Sequence, residues 1–99
     1  MDSHTTQIKG SHTRNTSLAT AVTLTPPSGG NVLTIQPLTN NVRLTTDGTT
    51  PTATVGVQLA AGTVYVVDVG QDAEVNIIEE TASAEVQYYW EQRKTDTGA

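Results

Sequence analysis

VRLTTDGTTPTATVGVQLAAG, residues 42–62, reads as two alternating segments joined by an Asp-Gly turn. Val42, Leu44 and Thr46 alternate with Arg43 and Thr45, and beyond the turn Ala53, Val55, Val57 and Leu59 share one parity. A period of two marks strands with one buried face. Asp47 tolerates the left-handed region and Gly48 carries no Cβ, so the chain can reverse between them. The short Asp47 side chain is expected to hold its own turn through an Asx-type hydrogen bond. Pro51 has no N–H to give a ladder, which puts it in the loop or at the first residue of an edge strand.

The same grammar extends in both directions. Upstream, Leu18, Val22 and Leu24 carry an alternation that stops at Pro26, Pro27, Ser28, Gly29 and Gly30, and a second run over residues 31–38 ends at Pro37 and the Asn40-Asn41 turn. Downstream, residues 64–69 are apolar on both faces, which predicts a central strand or one covered by another subunit. Val75, Ile77 and Ile78 form the next strand. In the last, Ala84, Val86, Tyr88 and Trp90 oppose Glu85, Gln87, Tyr89 and Glu91. About seven short strands with regular turn signals predict an all-β chain, a single antiparallel β-sandwich or small barrel. Nineteen threonines among 99 residues agree with that class. Residues 1–17 lack periodicity and read as an extended N-terminal arm, residues 18–92 as the sandwich, and residues 93–99 as a C-terminal tail.

Composition limits the function classes. The chain has no cysteine, so neither a disulfide nor a thiolate metal site can stabilise its small core. Good sheet packing or association with other subunits must do so instead. Over residues 21–92 Arg43 stands against eight carboxylates, a net charge of −7, while each end carries +1. Such a body repels phosphates, so nucleic acid is not an expected partner. Ile8 is the only aliphatic residue beyond Met1 in the first seventeen, so no leader is expected there. No apolar run approaches the roughly 20 residues of a membrane helix.

Candidate chemistry is sparse. His4 and His12 both lie in the arm, and a Ser-His-acid set would need Ser3 or Ser11 held rigidly against a base, which an arm does not provide. The expectation is a protein that is not an enzyme and needs no cofactor or metal. Ser-His-Thr occurs at residues 3–5 and 11–13, and the even offset would place both histidines on one side of a strand. Asp68, Asp72 and Glu74 cluster near a turn, where carboxylates are ordinarily solvated and the spacing does not fit a calcium loop. Tyr89 points away from Tyr88 and Trp90, suited to packing on a partner or stacking on a sugar, with the partner favoured.

The opening segment, with Leu59-Ala60-Ala61-Gly62 and the closing stretch from Ala84 to Tyr89, resembles small β-sandwich structural proteins encoded by tailed bacteriophages. The similarity spans residues 31–90. It implies a non-enzymatic virion protein, most simply a capsid decoration or cement protein on the outside of the head lattice, made in the host bacterial cytoplasm. It also implies partners among the major capsid protein or other virion proteins, and a homo-oligomer, with a homotrimer favoured. A neck or tail connector or completion protein is the alternative place in the same particle. Residues 43–52 are also similar to the hairpin of chitobiase-type immunoglobulin-like accessory domains, with Leu44 where those carry Tyr. That implies a carbohydrate- or receptor-binding module. The expected partner contacts are Ile8, Lys9, Arg14 and Leu18 in the arm and Tyr89 on the last strand.

Overall fold

The computed structural model describes residues 4–70 and 74–95, with side chains for 8–70 and 74–92. Eight strands build it: β1 (His4–Asn15), β2 (Val22–Leu24), β3 (Val32–Pro37), β4 (Val42–Thr45), β5 (Val57–Leu59), β6 (Tyr65–Asp68), β7 (Val75–Glu79) and β8 (Val86–Thr95). They form two four-stranded antiparallel sheets, ordered β1-β8-β3-β6 and β2-β7-β4-β5. The described residues contain no helix. This is the all-β sandwich that the alternations predict.

The core lies between the sheets. Leu33, Ile35, Val86 and Trp90 of the first sheet meet Leu24, Val42, Leu44, Leu59, Val75 and Ile77 of the second. Each fully buried aliphatic side chain contributes roughly 1.5–3 kcal/mol relative to exposure. In β3, Leu33 and Ile35 face this core, while Thr34 faces outward and donates its hydroxyl to Glu91 Oε1 at 3.1 Å. Buried Asn76 similarly accepts from the Thr23 hydroxyl across the β2–β7 pair.

Three expectations change. Residues 4–15, expected to stand apart as an arm, form the edge strand β1, paired with β8 from His4↔Thr95 to Asn15↔Val86. Their polar composition hid them because an edge strand over a neighbouring strand needs little apolar surface of its own. The eighth strand is therefore β1, and the first three residues of the expected tail, Arg93, Lys94 and Thr95, belong to β8. Residues Asp96 to Ala99 lie outside those described.

The second change concerns residues 42–62. Leu44 pairs with Val57, so the connection between β4 and β5 is the long loop 46–56 rather than a tight Asp-Gly reversal. Asp47 does make the expected Asx turn, accepting the Thr49 N–H at 3.0 Å, with Gly48 at φ +86°. The pair sits inside the loop, where Asp47 bridges to Glu74. Val42 and Leu44 are buried as predicted, but of the parity beyond the turn, Ala53, Val55, Val57 and Leu59, only Leu59 is buried. Thirdly, the doubly apolar strand is β6, at the edge of its sheet, with β3 and β8 holding the centre. Val64 and Val66 face solvent because no third layer covers that sheet among the described residues.

Candidate functional site

Both sheets end on the same side in strands that follow each other in sequence, β5 in one and β6 in the other. With loop 46–56 as a third wall they frame a surface cleft of about 590 Å³. Leu44, Val57, Leu59, Tyr65 and Val67 make its walls apolar, and Asp47 is its single charged lining residue. Asp47 is held below the ordinary carboxylate range, first by the Thr49 backbone N–H and then by the Thr49 side chain, so it is anionic at neutral pH. The Tyr65 hydroxyl accepts from the Ala60 N–H at 2.8 Å and fixes the short link between the strands. One edge of β5 and one of β6 carry no strand partner among the described residues. Such edges are ready to accept another strand.

A second feature lies on the outer face of the first sheet. Tyr89 points outward as expected, and its ring lies 4.5 Å from that of His12 at a 42° tilt. Thr34, Gln36, Gln87 and Val64 complete a depression of about 240 Å³ around them. His12 is thus seated on the sheet by its strand rather than carried on an arm. His4 also lies in β1, with its side chain outside those described.

On the second sheet, Glu80 gathers the body's only cation. Arg43 donates through Nε at 2.8 Å and pairs through Nη2 at 2.6 Å with Glu80 Oε2, and Gln58 donates to both carboxylate oxygens at 2.8 and 2.9 Å. Asn41 adds a bond at 3.2 Å, and Arg43 Nη1 reaches the Gly56 carbonyl at 3.0 Å. The Gln58 hydrogen bond first, then Arg43 and Asn41, hold the Glu80 pKa below its ordinary value. These bonds tie β4, β5 and the end of β7 together.

The expected contact residues divide. Ile8 is 53% exposed on β1, and Lys9 is half-buried beside it. Arg14 is an ion-pair partner of Glu85, with Nε at 3.1 Å from Oε1. Leu18, expected on the binding surface, is 1% exposed and packs in the core, so it does not contact a partner. Its place at the head of the apolar alternation was the signal for burial. Of the cleft residues, Val55 and Val57 were expected on a buried face and not in a site, and Val66 was not singled out although it belongs to the two-faced apolar run of residues 64–69. Asp68 and Glu74 flank residues 71–73, which include Asp72 and lie outside those described; among the described residues no three His, Cys, Asp or Glu side chains gather to hold a metal. Comparison with protein-family models, curated proteins and solved structures gives no match to this chain.

Proposed function

We propose that this chain is a non-enzymatic structural subunit that works by protein–protein contact, as a decoration or cement protein on the head of a tailed phage. The observation that carries the reading is where the exposed large aliphatics lie. Val55, Val57, Val64 and Val66 sit on or beside the edge strands β5 and β6 on the side of the open cleft, and Ile8 lies on the opposite edge strand β1. Clustered apolar surface at sheet edges is the mark of an interaction surface. The resemblance of residues 31–90 to phage β-sandwich proteins supplies the particle.

The β1–β8 pair supplies a reach. β3 pairs with β8 only as far as Glu91, so among the described residues, 92–95 of β8 pair with β1 alone and form a two-stranded ribbon. Arg93 and Lys94 make this the basic part of an acidic molecule. It suits a negatively charged patch on a capsid subunit, with the sandwich body held outside the shell.

Purified protein added to heads assembled without it tests the proposal. The expected result is cosedimentation that salt weakens, with raised resistance of the heads to heat. Heads that neither bind the protein nor change in stability would remove the decoration role.

One observation favours a second reading. The Tyr89–His12 pair, ringed by Gln36, Gln87 and Thr34, offers a ring face and amide groups of the kind that hold a sugar. Binding on a glycan array that is lost in Tyr89→Ala would move the assignment there.

A further inference from the structure

The first sheet ends in two unlike edges, β1 on one side and β6 on the other. We infer that these edges join between copies: β6 of one molecule pairs with β1 of the next, giving a head-to-tail oligomer with a continuous first sheet. No capsid is needed for this, so it stands or falls apart from the virion reading.

Strand direction permits the joint. β1 runs antiparallel to β8, β8 to β3 and β3 to β6, so β1 and β6 run in opposite directions. A copy shifted sideways therefore presents β1 antiparallel to β6, and the alternation passes from molecule to molecule unbroken. Length also fits. β6 has four residues, and the regular part of β1 before its bulge, paired without interruption from His4 to Lys9, spans them.

The faces match as well. Ile8 pairs with Glu91, and Val66 pairs with the outward-facing Thr34, so both aliphatics lie on the outer face of the sheet. At 53% and 60% exposure they gain cover from each other when the edges meet. On the inner face, Lys9 pairs with the core residue Trp90, which turns it towards the layer between the sheets. In the joined pair that layer is the neighbour's cleft, where Asp47 is the one charged lining residue.

Charge decides between this joint and a two-fold one. Over its regular part β1 carries Lys9 and no carboxylate, Arg14 beyond the bulge being paired with Glu85, while β6 has no cation and Asp47 stands in the cleft beside it. A two-fold contact would oppose like charges at either edge, whereas the head-to-tail contact opposes unlike ones. Head-to-tail contacts close into rings when the rotation per step allows it. The ring also hides two edges that would otherwise invite uncontrolled strand addition.

Light scattering on the full chain after size exclusion, with sedimentation over a dilution series, tests the inference. Wild type is expected as a ring of three or more 10.4 kDa subunits. Val66→Lys is expected to run as a folded monomer, and the milder Val66→Thr to weaken association while keeping a β-branched residue in the strand. Lys9→Glu and Asp47→Lys should each weaken association roughly tenfold, with the double variant recovering most of the loss. A wild type that stays monomeric to its solubility limit overturns the inference. So does a two-fold dimer indifferent to Val66→Lys, or a double variant no better than either single one.

Discussion

Leu18→Ala separates the sandwich's own core from its surface more sharply than any other single change. Ile8 lies in the polar N-terminal stretch and Leu18 immediately follows that stretch, and Leu18 is 1% exposed against 53% for Ile8. Truncating Leu18 removes three buried carbons, about 2.4 kcal/mol at roughly 0.8 kcal/mol each. The cavity left between the sheets brings the total to about 3 kcal/mol, within the range for buried leucines. For a domain of this size the denaturant slope is about 1–1.5 kcal/mol per molar urea, so the midpoint should fall by roughly 2–3 M. Thermal unfolding should move down by about 12–24 °C. Ile8→Ala, measured beside it at a concentration where subunits are dissociated, should stay within about 0.5 kcal/mol of wild type. Equal shifts for the two variants, or a Leu18→Ala shift below about 0.5 kcal/mol, would refute the assignment of Leu18 to the core.

Other consequences follow from single contacts. Gly56 sits at φ +124°, and a Cβ there would lie 3.2 Å from Arg43 Cβ and from the backbone of Leu44. Gly56→Ala should therefore cost about 2 kcal/mol in urea unfolding, and a neutral result would mean the loop can relax. Glu80 has a folded pKa below its ordinary 4.5, so its contribution is present above pH 4.5 and is lost as the pH falls through the lower folded value. Glu80→Gln should lower stability at neutral pH and flatten the acid limb of the stability curve, while an unchanged limb would deny the Gln58–Arg43 network its role. Hydrogen exchange should show protected amides in β1 where it pairs with β8, and faster exchange in loop 46–56. Uniformly fast exchange across residues 4–15 would contradict the edge strand.

The strands that sequence made legible are those with one wet and one dry face. Val42 and Leu44, or Val86, Tyr88 and Trp90, alternate because a two-layer core takes every second side chain. Tyr89 was legible for the same reason, since parity alone turned it outward. β1 was not, because its residues are polar on both faces and its pairing is supplied by β8 backbone, which leaves no periodic signal in its own composition. Asp47 and Gly48 were read correctly as turn residues but assigned to the wrong turn. Local chemistry fixes the Asx bond to Thr49, whereas the register of β4 against β5 is set by the distant burial of Leu59 against Val42. The doubly apolar run at residues 64–69 carries the opposite lesson. Among the described residues its second face has no cover, so the two-faced apolarity did not mark a central place in the sheet; an edge strand with an exposed apolar face is what the proposed joint between copies would use.

The measurement that bears most directly on the proposed role is the number of copies bound per particle when purified protein is added to phage heads that lack it. A decoration protein saturates at a number that scales with the area of the head lattice, in whole multiples of the oligomer seen in solution. Saturation at a fixed small number set by one vertex or by the tail, whatever the head size, would contradict the account and place the sandwich in the neck or tail.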